Sequence, residues 1–329
     1  MKKLLGIFLF LAILYGLLLF ADPGARSVQN HLNLGQRIGL YGILSLAVGM
    51  LIITGGIDLS MGSVVALTST VFAMLVRDHG WSPIAAMPVV LAMGVVIGLV
   101  HGLLVTQVRV QAFIVTLCGL FVYRGIARWI ANDAVKGLGS MGENWKDVLN
   151  TDLGSVLERW TGWDLPIPKV IHMHLVLFLI ILALATVFLH FTRHGRYFFA
   201  LGSNERAAKY SGISVNTYRI MAYVLCSTLT ALFAIPYLLY NNSATPSSTG
   251  NFFELYAIAG AVLGGCSLRG GEGTSVGILI GTAIIWLLPN LTNMWGIPSS
   301  LEYTVIGVAL LLGATLDEVL RRWGRVSKA

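Results

Sequence analysis

Long apolar runs alternate with short polar or glycine- and proline-rich stretches along nearly the whole chain. The runs fall at about 4–20, 38–54, 61–76, 84–105, 112–131, 172–191, 217–239, 252–268, 275–292 and 300–316. A helix needs about 20 apolar residues to cross a bilayer, with a range of about 17–25, so each run predicts a spanning helix, several of them short. The separators are residues 21–37, 77–83, 133–170, 192–216, 240–251 and 291–299. Strand-like alternation is absent, and the runs are longer than the roughly 10 residues of an outer-membrane strand. The expected fold is all-α: a polytopic integral membrane bundle of about ten transmembrane helices, forming one domain over residues 1–329. Met1-Lys2-Lys3 ahead of Leu4–Phe20 has the outline of a secretory signal. The apolar run is long for one, and Ala21-Asp22-Pro23-Gly24-Ala25 is a poor cleavage site, so a retained first helix is expected.

Composition agrees. Of 329 residues, 56% are hydrophobic and 11% charged, and the mean hydropathy is +0.78. Soluble domains carry about 25% charged residues. A chain this apolar could not clothe a globular surface, which excludes an ordinary cytosolic enzyme and a disordered protein. The net charge of +7 comes from 22 Lys and Arg against 15 Asp and Glu. No segment interleaves basic and aromatic residues densely enough for a nucleic-acid surface, so no nucleic-acid partner is expected.

Basic residues instead gather on cytoplasmic loops of membrane proteins. With ten spans both termini share a side. If that side is the cytoplasm, it holds Lys2, Lys3, Arg109, Arg193, Arg196, Arg206, Lys209, Arg219, Arg269, Arg321, Arg322, Arg325 and Lys328, which is 13 of the 22. Both termini are therefore expected in the cytoplasm, with the tail Arg321-Arg322-Trp323-Gly324-Arg325 as the clearest anchor. Loop 192–216 then faces the cytoplasm and the long loop 133–170 faces outside.

Cys118, Cys226 and Cys266 lie far apart with no C-x-x-C spacing, which fits buried filler rather than a metal or redox pair. His172/His174 and His190/His194 bracket one span and read as interfacial; no H-E-x-x-H occurs and no metal site is expected. Trp129, Trp286 and Trp295 fall near span ends, as an aromatic belt would place them. Gly94, Gly98 and Gly102, and again Gly273, Gly277 and Gly281, repeat every fourth residue, a spacing that lets helix backbones approach closely.

Three segments say more. In Thr54-Gly55-Gly56-Ile57-Asp58-Leu59-Ser60-Met61-Gly62-Ser63, two glycines interrupt the helix and an aspartate follows amid apolar sequence. Such a group is costly unless it faces a cavity, caps a helix or lies at the interface. Two readings stay open: a broken helix beside a transport path, or a tight cytoplasmic turn with Asp58 or Ser60 capping the next helix. Thr192–Ile213 is the richest basic loop. Ser203 or Asn204 suits a helix N-cap, Glu205 its first turn and Gly212 its stop, which predicts a small amphipathic helix outside the bilayer. Ala261–Ser275 is glycine-rich, but aligning the phosphate-binding loop on Gly265 and Gly270 puts Gly271 and Glu272 where Lys and Ser/Thr are required. The chain is not expected to bind ATP itself.

Gly55–Ser63, Arg109-Val110-Gln111-Ala112-Phe113-Ile114-Val115-Thr116-Leu117, Thr192–Ile213 and Val262–Gly273 together resemble the membrane permease of a bacterial ABC importer of the ribose/monosaccharide group. That group sits in the larger set that also holds branched-chain amino-acid permeases, and the resemblance runs nearly end to end. It implies a transport subunit of the bacterial inner membrane, bathed in lipid, with no catalytic residues and no cofactor. Two permeases, a second copy or a sister chain, would form the pore. Two cytoplasmic ATP-binding subunits would drive it, and a periplasmic or lipid-anchored solute-binding protein would deliver the sugar. Thr192–Ile213 resembles the helix that couples such permeases to the ATPase; the matching positions are Asn204, Glu205, Ala207, Ala208, Gly212 and Ile213, with Arg206 and Lys209 between them.

A polar sugar would cross a path of hydroxyl, amide and glycine groups. Asp58, Ser60, Gln111, Thr116 and Asn251 are the candidates for it. The long outer loop, with Trp145, Trp160 and Trp163, is a departure that reads as a docking place for the binding protein or an amphipathic cover on the bilayer. An ion-coupled secondary transporter is the main alternative, but it usually carries carboxylates within spans as relays. Here Glu254 and Glu302 fall near span ends and Asp58 beside a turn. A membrane enzyme lacks any visible nucleophile–base or metal constellation. Within the importer reading, the motifs fit a pentose, a hexose, a nucleoside or an amino acid alike.

Overall fold

The structure, a computed structural model, describes residues 2–139, 151–162 and 172–308, with 311 and 315. Its helices are α1 (Lys2–Ala21), α2 (Val28–Ile53), α3 (Met61–Arg77), α4 (Pro83–Thr106), α5 (Ala112–Ile130), α6 (Leu153–Thr161), α7 (Met173–Thr186, continued by a π-helical turn Val187–Phe191), α8 (Arg193–Ser203), α9 (Glu205–Tyr210), α10 (Val215–Asn241), α11 (Phe253–Leu263) and α12 (Ser275–Met294). Among the described residues, six are long and apolar enough to cross a membrane, namely α2, α4, α5, α7 with its π turn, α10 and α12. Leu5–Phe20, α3 and α11 are shorter apolar helices. The tenth predicted run is helical over residues 302–308, and most of its remainder lies outside the described residues. The all-α expectation holds: among the described residues, sheet is confined to β1 (Lys136–Gly137) paired antiparallel with β2 (Ser243–Ala244).

α2 is the central post, packed by α7, α10, α11 and α12. Its middle is 83% buried, against 22% for α5 at the periphery. Leu40, Ile43, Leu44, Ala47 and Leu51 of α2 interlock with Phe178, Phe233 and Ala261 in the main core. The glycine stripes do what their spacing predicts. A Cβ on Gly98 would strike Val224 backbone and one on Gly102 Ile220 Cα, so α4 and α10 pack backbone to backbone. Gly277 and Gly281 press α12 onto Gly260 and Gly264 at the end of α11 in the same way. Cys226 and Cys266 are buried, whereas Cys118 is exposed.

Two boundaries differ from the sequence reading. α2 begins at Val28, ten residues before its apolar run, because Ser27 caps it through Asn30 N and the polar first turns find protein partners. Asn30 Nδ2 donates to Ala25 O at 3.0 Å, and Asn290 Nδ2 donates to Asn30 Oδ1 at 2.7 Å, tying α2 to α12. Interhelical bonds of this kind average about 0.6 kcal/mol and reach about 1.7 kcal/mol. Asn30→Ala is therefore expected to lower stability within that range, read as a small drop in the thermal midpoint of the detergent-solubilised protein. In the other case the run 252–268 yields only the helix Phe253–Leu263, stopped by Gly264-Gly265, with Gly265 at φ +92°.

One end of the bundle, here the far end, gathers the loops after α3, α5 and α10. Lys136 pairs with Asp78 at 2.9 Å beside the β1–β2 bridge. Arg128 forks onto Asp133 just past α5, and this hydrogen bonding holds the Asp133 carboxyl below its usual range. Of the long loop 133–170, the described part contributes β1 and α6, the latter capped by Asp152. Trp145, Trp163 and Leu165–Pro168 lie outside the described residues, as does the basic tail around Arg321.

Candidate functional site

The three segments singled out by sequence meet at the opposite, near end. α2 stops there in a Schellman turn: Gly56 N bonds Leu51 O and Gly55 N bonds Ile52 O, with Gly55 at φ +81°, a conformation that glycine adopts without strain. Gly271 N then donates to Ile53 O at 2.8 Å, joining the glycine-rich loop 264–274 to the end of α2. Into this contact comes the last turn of α8. A Cβ on Gly202 would collide with Ile53 O and Gly271 N, and a Cβ on Gly271 would collide with Ser203. Backbone thus packs on backbone among three loops far apart in sequence.

The basic loop holds two helices where the sequence reading expected one. Thr192 caps α8 by accepting from Gly195 N, and Asn204 breaks the run and caps α9 by accepting from Ala207 N at 3.0 Å. Gly212, at φ +81°, ends α9 in a second Schellman turn through Gly212 N to Lys209 O and Ile213 N to Ala208 O. The predicted cap and stop are both present. Ala208 turns inward, while Asn204, Glu205, Arg206, Ala207 and Gly212 are exposed and Tyr210 is 90% exposed. Glu205 pairs with Arg219 at the base of α10, at 2.8 Å. The result is a compact knob, fixed to the bundle from behind and open in front.

Between the ends, the chain twice leaves helical form. After α2, residues 54–60 run without helix to α3; after α10, residues 242–252 do so before α11. The same succession of long helix, break, short helix and longer helix recurs in α2–α4 and α10–α12 with the direction reversed. Interrupted segments at matching places in two halves of a transporter point to the site of passage. The second break packs on the first turn of α3, just past the first break: Gly62 and Gly250 leave no room for a Cβ on either, and the Glu254 carboxylate bonds the Gly62 backbone. Arg124 of α5 holds the second break by donating through Nη1 to Pro246 O and Thr249 O.

The candidate path residues divide. Asp58 and Ser60 lie together in the first break, where Asp58 Oδ1 accepts from Ser60 N at 2.8 Å and Ser60 Oγ at 2.6 Å. Ser60 occupies the N-cap position of α3 but makes no side-chain cap bond, because its hydroxyl is spent on Asp58. Both are buried, as is Thr116, whose hydroxyl donates to Ala112 O. Asn251 is exposed in the second break, and Gln111 is exposed at the start of α5. The segment opens as a turn at Gly55-Gly56 and continues into the bundle at the buried Asp58.

Sequence reasoning missed His101, Tyr123, Tyr223 and Arg124. His101 of α4 is 1% exposed, its Nδ1 3.7 Å from Asp58 Oδ2, and its Nε2 lies 3.0 Å from the Tyr123 hydroxyl. The signal was a lone ionisable ring in the apolar run Ile97-Gly98-Leu99-Val100-His101-Gly102. His174, expected at the interface, is also buried, edge-on to Tyr240.

The chain matches the family model described as "Branched-chain amino acid transport system / permease component" over residues 30–314. It is 36% identical to the ribose import permease protein RbsC of Escherichia coli (strain K12) over 318 residues, which is 96% of this chain and 92% of that protein. It is 36% identical to RbsC of Bacillus subtilis (strain 168) over 96% of this chain and 93% of that one. With the fructose import permease protein FruG of Bifidobacterium longum (strain NCC 2705) the identity is 30%, over 86% and 80% of the two chains. No solved structure matches. These findings bear out the resemblance drawn from the four segments: the chain belongs to the family of permease components of branched-chain amino acid transport systems.

Proposed function

We propose that this chain is the permease subunit of an ATP-driven importer for a sugar, which forms the translocation path with a second permease and is moved by separate ATP-binding subunits seated on the knob Ser203–Gly212. The observation that carries this reading is the near full-length match to ribose and fructose import permeases, together with a doubly capped, outward-facing knob at one end of the bundle. The near end faces the cytoplasm, with both termini, and a solute-binding protein docks at the far end. Asn251 and Gln111 face the path. Asp58, Ser60 and Thr116 form the wall behind it, since their polar atoms are turned to protein groups. The chain supplies no ATP site of its own: Gly271 and Glu272 stand where a phosphate loop needs Lys and Ser/Thr.

The test is purification of the tagged permease with the ATP-binding subunit of its importer, comparing the native chain with a 203–212 deletion, followed by uptake of labelled ribose into proteoliposomes. Loop-dependent co-purification and ATP-dependent uptake support the reading; uptake driven by an ion gradient without ATP overturns it.

Glu205→Arg is expected to separate ATP hydrolysis from uptake. Exposed ion pairs contribute about 0–1 kcal/mol to stability, so the chain should fold and insert normally. Labelled ribose uptake should nevertheless fall about tenfold, since a like charge now faces Arg219 and whatever meets Glu205 on the motor. Normal uptake in this variant would count against the coupling role.

A further inference from the structure

The first break connects two places that matter. Its outer end, Ile53–Gly55, is gripped by Gly202 and Gly271 behind the knob. Its inner end, Ile57–Ser60, lies between α4, α5 and α10: Tyr223 Oη donates to Ile57 O, a Cβ on Gly119 would crowd His101 Nε2 and Ser60 Cβ, and His101 faces Asp58. Within this cluster Asp58 and His101 are each pinned on one side only. Asp58 Oδ1 is held by Ser60, and His101 Nε2 by Tyr123. The remaining atoms, Asp58 Oδ2 and His101 Nδ1, are buried, face each other across a long 3.7 Å contact, and have no other hydrogen-bond partner. At 3.7 Å they are too far apart for the bond, which needs about 2.7–3.2 Å. Buried polar groups left in this condition are rare in folded proteins. With the Tyr123 hydroxyl donating to Nε2, Nδ1 carries the proton that Asp58 would accept. Tyr123 from α5, Tyr223 and Cys226 from α10, and Glu254 from α11 are the other titratable groups around the pair.

We propose that residues 54–60 are the rod that carries motion from the knob into the bundle, and that Asp58 and His101 are the catch at its inner end, open here and closed in the transporter's other state. This rests on the proposed function. A shift of the rod by less than 1 Å closes the catch, and the binding of nucleotide by the motor supplies that shift through the knob. Asp58 and His101 are positioning residues and touch no sugar.

The experiment uses the full complex in proteoliposomes and reads the ratio of ATP hydrolysis with and without sugar-loaded binding protein. Asp58→Asn keeps an acceptor for Ser60 but turns an amide donor toward His101 Nδ1–H. The ratio should fall about tenfold with unchanged yield and co-purification of the complex, as expected for loss of a charged hydrogen bond. Tyr123→Phe removes only the bond that fixes the imidazole, and should lower the ratio about threefold; it decides alone if Asp58→Asn does not assemble. Adding His101→Gln to Asp58→Asn should lower the ratio no further, since both act on one bond. Unchanged ratios, additive losses, or losses that merely track the yield of folded complex overturn the catch. A native complex with no stimulation and no uptake overturns the proposed function and the catch with it.

Discussion

Gly202→Val should reduce labelled sugar uptake at least about a hundredfold while the chain still reaches the membrane. Gly202 sits where the last turn of α8 meets Ile53 O and Gly271 N, and even a methyl group there overlaps both. Neither neighbour can yield cheaply, because Ile53 O already accepts from Gly271 N and Gly271 is itself wedged against Ser203. Overpacking a filled site costs about 1–3 kcal/mol. The cost here is met most easily by α8 and α9 lifting away, since the helices behind them are held by a much larger core. The knob would then present itself in the wrong place to the ATP-binding subunit, and affinity and transmitted motion would be lost together. Uptake in proteoliposomes and co-purification with the ATP-binding subunit are the measurements. Uptake within about twofold of the native chain would show that the contact behind the knob is not needed.

Arg124→Ala should be the most damaging single change among the polar residues. Arg124 is the group that reaches from α5 to two carbonyls of the turn after α10, those of Pro246 and Thr249, roughly six residues or 9 Å inside the end of its helix. Hydrogen bonds from a charged donor are worth about 1.5–3 kcal/mol each, and the truncated side chain would leave both carbonyls in need of partners at a depth where water is scarce. Glu254, buried at the start of α11, would lose the attraction of the Arg124 guanidinium. A loss of about 3 kcal/mol or more is expected from the two charged hydrogen bonds together. It should appear as a lowered thermal midpoint and loss of uptake, while co-purification with the ATP-binding subunit persists because the knob lies at the other end. Arg124→Lys should recover only part, since a single ammonium cannot reproduce the fixed fork of a guanidinium. A normal midpoint in Arg124→Ala would show that the turn holds its form without the clamp.

The residues legible in the sequence were those whose chemistry is local. Asn204, Gly212 and Gly55 act within a turn of themselves, capping a helix or reversing the chain, and each was assigned from its neighbours alone. The spans α3, α4, α5, α10 and α12 followed from apolar length. What was hidden depends on who stands opposite. Val28–Arg37 is polar as a string, yet helical because Asn30 finds Asn290 on a helix 260 residues away. Phe253–Leu263 is about two thirds of the helix its hydropathy suggests, because the run also contains the Gly264-Gly265 turn. Asp58 and His101 are neighbours only because α4 folds back along the first break. Glu254, placed by its position in the run near a span end, is drawn inward to Gly62.

Because Gly202 rests on Ile53 and Gly271 at once, the knob touches both halves of the chain through one residue. Ile53 belongs to the first of the two reversed successions of helices and Gly271 to the second. Under the proposed function, a push on α9 would reach both successions together, and both halves of the chain would start to move in the same step. The timing of a transport cycle would then be written into three adjoining backbones, with no side chain required to keep the two halves in phase.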